Sequence, residues 1–370
     1  MKKMLAVSTI LILLGLSVAV SQGKFSGYMF GDYYYNVMRD KNIGSLSNVA
    51  SPAGTTAYQA FQLRRIYFAY DNDISDQFTT RFRLEADQTA SNGVPTSGDM
   101  LVGSATSAGK VSVFVKDAYL MWKNIFSGSN LIFGVQPTPA YDVSEAAWGY
   151  RSLEKTIMDL RGIVPSRDLG VSLKGKITDD GMINYWAMFA NGSGNSVETD
   201  KYKRYYAHIQ IKPTTNLQAI LNFDFKDAAN DAKGNNTGTT TASLFVGYAV
   251  PFAYNINVEA FTTSQANSFT PTGGSLGSKN GLGFSIFGSY YIIPELAAVA
   301  RYDNWNPNTA GAANAQGDVR NYVIAGLSWK VDKNVSIMPN VLYETYEAAS
   351  GASTPDPSIT ARITLYYIFL

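Results

Sequence analysis

Residues 137–166 carry seven charged side chains: Asp142, Glu145, Arg151, Glu154, Lys155, Asp159 and Arg161. Carboxylates and cations are interleaved in near-equal number. That pattern suits a local electric field better than it suits proton transfer. Held across a water path, such a field orients dipolar solutes and disfavours apolar ones. Leu153, Ile157 and Leu160 have helical spacing, so a short helix with one apolar edge is predicted here. The alternative placement is an external loop lying over a rim.

Other residues suggest chemistry less strongly. Arg64 and Arg65 are adjacent, so strict strand alternation sends one to each face unless a bulge intervenes. An Arg facing lipid at mid-membrane costs about 2–4 kcal/mol, which predicts a bulge or a position near the interface. Pairing with Asp117 or Glu85 is the simpler alternative. His208 is the one histidine. A hydrolase would need it as general base for a serine, but no Gly-x-Ser-x-Gly supports that, and neighbours Arg204 and Lys212 disfavour its protonation. There is no cysteine, which excludes disulfides, thiolate metal sites and cysteine nucleophiles. The acidic pairs at Asp71 and Asp73 and at Asp179 and Asp180 fit tight turns better than calcium sites. No catalytic set, metal or cofactor is expected.

The elements that must hold these residues are strands. Leu217, Ala219, Leu221, Phe223 and Phe225 share one face, with Gln218, Asn222, Asp224 and Lys226 on the other. The same period of two recurs in Phe78, Phe82 and Leu84 against Arg81, Arg83 and Glu85, and in Ile363, Leu365 and Tyr367 against Arg362 and Thr364. Half-buried strands read this way. Strands are predicted to start near Phe25, Tyr58, Asp76, Val111, Ser129, Arg167, Met182, Tyr202, Leu217, Thr240, Asn255, Asn280, Glu295, Asp318, Val335 and Pro357. Connections alternate between short turns rich in Asp, Asn, Gly and Pro and long segments rich in Gly, Ser, Thr, Asn and Ala. This is the pattern of an outer-membrane barrel. The fold class predicted is all-β: a sixteen-stranded transmembrane antiparallel barrel with a long inserted loop between strands five and six. A soluble sandwich or propeller would not put aromatics on one face of strand after strand, and no blade repeat is present.

By parity, Arg81, Arg83, Arg204, Lys212, Lys226, Arg301, Arg320, Lys330 and Arg362 point inward, as do Glu85, Asp87, Asp224, Asp303 and Glu344. Positive charge leads by a modest margin. The charged loop, by its length and its place in the count, is predicted to fold into the lumen. The residues expected at the constriction are Arg64, Arg81, Arg83, Glu145, Arg151, Lys155, Asp159, Arg161 and Arg204. Inward tyrosines such as Tyr119, Tyr206 and Tyr366 look too sparse for the aromatic track of a sugar channel.

Composition agrees. The chain has 24 Tyr and 19 Phe against 30 Lys and Arg, and 16% charged residues. It therefore buries much aromatic surface without the long apolar runs of a spanning helix. Residues 1–21 read as an export signal: Lys2 and Lys3, an apolar core, then Ala19-Val20-Ser21. Cleavage would start the mature domain, residues 22–370, at Gln22. Without Lys2 and Lys3, 28 of the 30 basic residues face 29 Asp and Glu, so the mature charge is −1. That gives no pull on nucleic acid.

Three motifs go beyond architecture. Phe61-Gln62-Leu63-Arg64-Arg65-Ile66-Tyr67-Phe68, then Lys116-Asp117-Ala118-Tyr119-Leu120, then Phe133-Gly134-Val135-Gln136-Pro137 followed by the charged loop and Pro165-Ser166-Arg167-Asp168-Leu169-Gly170-Val171 occur in that order. Over residues 58–178 this resembles the phosphate/polyphosphate-selective porin family, porins O and P. The resemblance implies a sixteen-stranded porin in a Gram-negative outer membrane, often a homotrimer, passing small hydrophilic solutes or anions. Family members selective for anions carry dense basic rows along the lumen. Here carboxylates interleave them, so a mild anion preference is the expectation. The C-terminal residues Phe369 and Leu370 resemble the barrel-assembly signal, with Phe penultimate rather than last.

Overall fold

The computed structural model describes residues 23–40, 56–87, 111–270, 274–309, 319–348 and 353–370. The proposed leader and Gln22, and most of the long connections after the first and third strands, lie outside the described residues. Among the described residues are sixteen strands: β1 (Lys24–Met38), β2 (Gln59–Asp73), β3 (Phe78–Asp87), β4 (Ser112–Phe126), β5 (Ser129–Pro137), β6 (Arg167–Lys176), β7 (Ile183–Ala190), β8 (Arg204–Ile211), β9 (Leu217–Lys226), β10 (Thr239–Val250), β11 (Tyr254–Phe269), β12 (Gly277–Ile293), β13 (Leu296–Asn306), β14 (Val319–Asp332), β15 (Val335–Glu347) and β16 (Ser358–Ile368). Each begins within three residues of its predicted start. Each pairs antiparallel with its sequence neighbours, and β1 closes on β16 with Tyr28 opposite Ile368 and Tyr34 opposite Arg362. The amide of Phe369 extends the seam by donating to Gly27 O at 2.9 Å.

The distribution of polarity shows what surrounds the barrel. In β16, Arg362 is 3% exposed and Thr364 0%, whereas Ile363 is 53% exposed and Leu365 43%. β8 repeats the pattern, with Arg204, Tyr206, His208 and Gln210 buried and Tyr205, Ile209 and Ile211 exposed. A water-soluble protein does the reverse. An apolar exterior around a polar interior is stable only when the exterior meets lipid. Closure then gives every strand its hydrogen-bond partners.

Two register shifts set the inner face of one wall. Phe30 pairs with Arg65 but Gly31 pairs with Leu63, so Arg64 is an extra residue in β2. Gly31 suits this point, because a Cβ there would lie 2.6 Å from Gln62 O. The inward parity changes from even to odd at the bulge, so Arg64 and Arg65 are both buried inside. In the same way Arg83 pairs with Asp117 and Leu84 with Val115, leaving Lys116 extra. Lys116 and Asp117 thus share the inner face. A bulge inserts one residue and re-aims the side chains after it.

Candidate functional site

The charged segment between β5 and β6 lies inside the barrel. It forms two short helices, α1 (Asp142–Trp148) and α2 (Ile157–Leu160). Trp148, Leu153 and Ile157 are fully buried. Trp148 and Leu153 pack with Ile220, Phe245, Phe287, Val299 and Met338 on the inner wall. Ile157 and Met158 pack with Met188, Tyr206, Phe261 and Trp305. Burying each such side chain contributes about 2 kcal/mol, so apolar contact alone holds the loop firmly.

Polar contacts fix its register. Arg64 Nη1 donates to Leu153 O at 3.0 Å, and Arg362 Nη2 donates to the same oxygen at 2.7 Å. Arg64 also donates to Ser152 O, and Arg301 to Lys155 O. Asp32 lies beneath, 2.5 Å from Arg64 Nε, and accepts from Thr364 Oγ1. Further along, Arg161 pairs with Glu344 at 2.8 Å, and the Tyr322 hydroxyl donates to Glu154 Oε2 at 3.2 Å. At the near end, Asn222 Nδ2 donates to Ala140 O and Ser144 Oγ to Glu259 Oε1, each at 3.1 Å.

These bonds explain why the predicted helix around Leu153 to Leu160 is only one turn long. The carbonyls of Ser152, Leu153 and Lys155 accept from wall arginines instead of from amides four residues on, and Thr156 is extended with ψ 161. α1 had no clear signal in the sequence. Its first turn carries Asp142 and Glu145, favourable at a helix N-terminus, and Gly149 ends it with φ +70.

The loop's other face looks across at β2–β6. It presents Glu145, Arg151, Lys155 and Asp159. Arg151 lies 3.5 Å from Glu145 and 3.7 Å from Asp159, and Lys155 lies 3.6 Å from Asp159. The wall presents Arg81, Arg83, Lys116 and Arg167 around two buried carboxylates. Asp117 takes Arg167 at 2.5 Å and, more loosely, Arg81 at 3.5 Å and Arg83 at 3.7 Å. Glu85 takes Arg65 at 2.7 Å and Lys116 at 2.9 Å. The acidic groups are therefore sealed behind a layer of cations that keep partial exposure.

Among the residues expected at the constriction, Arg81, Arg83, Glu145, Arg151, Lys155 and Asp159 are brought together between the loop and β2–β6. Arg64, Arg161 and Arg204 do not. Arg64 lies under the loop. Arg161 is on Glu344. Arg204 is bound at 2.5 Å to Asp224, with Ile163 O at 3.5 Å. Lys116, Asp117 and Arg167 belong to this cluster and were outside the expected set; the bulge that turns Lys116 inward is invisible to simple alternation. His208 is buried, its Nδ1 2.8 Å from Asn222 Oδ1 and 3.2 Å from Pro139 O, where it braces the start of the loop. Inward tyrosines are more numerous than alternation suggested: Tyr28 and Tyr34 come from β1, and Tyr67 turns inward because of the Arg64 bulge.

No protein-family model and no curated protein matches the sequence. Solved structures do match nearly end to end. The outer membrane channel DcaP of Acinetobacter baumannii superposes with a TM-score of 0.66 over 95% of this chain and 99% of its own, at 14% identity. OprB of Pseudomonas putida gives 0.64 over 94% of each chain at 10% identity. The anion-selective porin from Comamonas acidovorans gives 0.60 over 94% of this chain and 100% of its own, at 12% identity. With its closed sixteen-stranded barrel and a loop folded inside, the chain has the fold of Gram-negative outer-membrane porins.

Proposed function

We propose that the protein is a porin of the Gram-negative outer membrane that passes small hydrophilic solutes by passive diffusion, with a mild preference for anions. The mature domain spans residues 22–370 after cleavage of the leader, and the assembly is a homotrimer. The observation that carries the reading is the set of charged side chains that meet between the loop and β2–β6. There Arg81, Arg83, Arg151 and Lys155 sit 3.4–3.7 Å from their carboxylates. That is too long for a strong charge-assisted hydrogen bond, so these cations keep field for a passing solute, with one Arg83 donor already on the Tyr28 hydroxyl at 2.5 Å. A lining with excess positive charge selects anions. The matching fold of a porin named anion-selective agrees with this.

The test is the reversal potential of purified protein in a planar bilayer under a KCl gradient, followed by phosphate titration. The screening length is ~10 Å at 0.1 M salt, so the measurement belongs at low ionic strength. An anion-signed potential is expected. Phosphate block at low concentration would narrow the reading to a phosphate channel, a zero potential would leave a general porin, and a cation-signed potential would refute the preference.

A further inference from the structure

At the short-turn end of the barrel the loop leaves two cavities of similar size and different chemistry. One, of about 600 Å³, is lined by turn residues such as Thr214, Thr215 and Asn216, with Lys212 balanced by Asp180 and no aromatic ring. The other, of about 690 Å³, is bounded by Tyr28, Tyr150 and Tyr366, and carries Arg151, Lys330 and Lys333 against Glu295 alone. Its volume lies within the roughly 300–1,000 Å³ of small-molecule sites.

The aromatic cavity shares Arg151 with the charged cluster beside β2–β6 and reaches Arg83 through Tyr28. The Tyr28 ring centroid lies 4.7 Å from Tyr67 and 5.8 Å from Tyr366. The Arg83 guanidinium covers the upper end of this row, 4.1 Å from the Tyr67 centroid and 5.6 Å from that of Tyr28. Arg83 and Arg151 thus stand beside the ring faces, and Lys330 and Lys333 line the same cavity.

We propose that this cavity binds small aromatic carboxylates, the ring against Tyr28 and Tyr366 and the carboxylate towards Arg151 or the lysines. The inference rests on the diffusion-channel reading above and names a solute class for it. Rings and cations together select for a ring that carries a negative charge. An inorganic anion leaves the tyrosine faces uncovered. A neutral sugar meets the rings but makes no ion pair with Arg151 or the lysines. An aliphatic acid meets the charge but forgoes the geometry-specific contact between rings.

The experiment compares benzoate with cyclohexanecarboxylate, equal in charge and near in size, as blockers of KCl current through the reconstituted protein, added on the short-turn side. Benzoate is expected to half-block at about tenfold lower concentration. Tyr366→Leu should bring the ratio close to one, whereas Lys333→Gln should weaken both blockers alike and keep the ratio. Equal block by the two acids, or no block of a conducting channel, overturns the site and leaves the porin reading standing. Absence of any conducting step is instead a failure of the porin reading. If Tyr366→Leu does not insert, saturation-transfer NMR of both acids on the wild-type protein in detergent decides: signal from benzoate alone supports the site, and equal signals or none overturn it.

Discussion

The two sides of the inserted loop use most of their arginines differently, Arg167 on the facing side being the exception, since it binds Asp117 at 2.5 Å. On the side packed to the wall, Arg64, Arg204 and Arg301 are buried and lie 2.5 Å from Asp32, Asp224 and Asp303, with remaining donors on loop carbonyls. On the side facing β2–β6, Arg81, Arg83 and Arg151 stand 3.4–3.7 Å from their carboxylates and keep partial exposure. A cation whose donors are filled and whose charge is cancelled at contact distance projects little field and acts as a fastener. One whose partner is distant projects field and can take a solute. Counting inward charges by parity cannot separate these uses, because both groups point inward.

Removing the loop tests the comparison most severely. Deleting residues 141–162 takes away both faces at once, and single-channel conductance is expected to rise several-fold. Each barrel strand keeps its neighbours, so insertion should survive, with reduced thermal stability because Arg64, Arg301 and Arg362 lose their carbonyl partners. Unchanged conductance would mean that the loop does not line the narrowest part of the path.

Breaking one fastener has a smaller effect. Arg64→Ala leaves Asp32 without its contact ion pair, with Gln62 Nε2 at 3.2 Å, the Thr364 hydroxyl, and Arg362 3.9 Å away. Losing one partner of a buried ion pair costs about 3 kcal/mol, so thermal unfolding should shift down measurably. Open-channel current noise should also rise as residues 152–155 loosen, while the reversal potential hardly moves. A large change of selectivity with no change in noise would place Arg64 in the path instead of beneath it.

The barrel was legible in the sequence because lipid on one side and water on the other impose a strict period of two. Runs such as the one from Leu217 to Lys226 record that period directly. The exceptions were legible only as anomalies. Arg64 beside Arg65 signalled a bulge, since lipid would otherwise meet a guanidinium. Lys116 beside Asp117 carries the same signal, within a stretch that resembles a family motif. The interior of the loop was less readable. Its conformation at Ser152, Leu153 and Lys155 depends on Arg64, Arg301 and Arg362, which are 88 to 209 residues distant in the chain. No local pattern encodes partners so remote.

On the facing side, Arg81→Gln, at a side chain 30% exposed, should shift the reversal potential towards cations and leave stability almost unchanged. Part-exposed pairs at these distances contribute about 0–1 kcal/mol. Stability loss comparable to that of Arg64→Ala would show that this arginine is a fastener too, and would erase the distinction between the two sides.

The smallest effect concerns pH. Burial pushes the Asp159 carboxyl up, but Lys155 and Arg151 beside it outweigh burial and hold it below the usual carboxylate range. A carboxylate lowered by folding contributes its full stabilisation above the unfolded value of about 3.9, and that contribution is lost as pH falls through the lower folded value. Selectivity should therefore show no Asp159 titration from neutral pH down to about 4. In stronger acid, protonation leaves Arg151 and Lys155 without this partner, and the reversal potential should become more anionic. Asp159→Asn should bring that acid-state potential to neutral pH. The variant isolates the Asp159 share. If Asp159→Asn leaves the neutral-pH potential unchanged, the loop's cations do not set the field, and the wall residues Arg81 and Arg83 carry it.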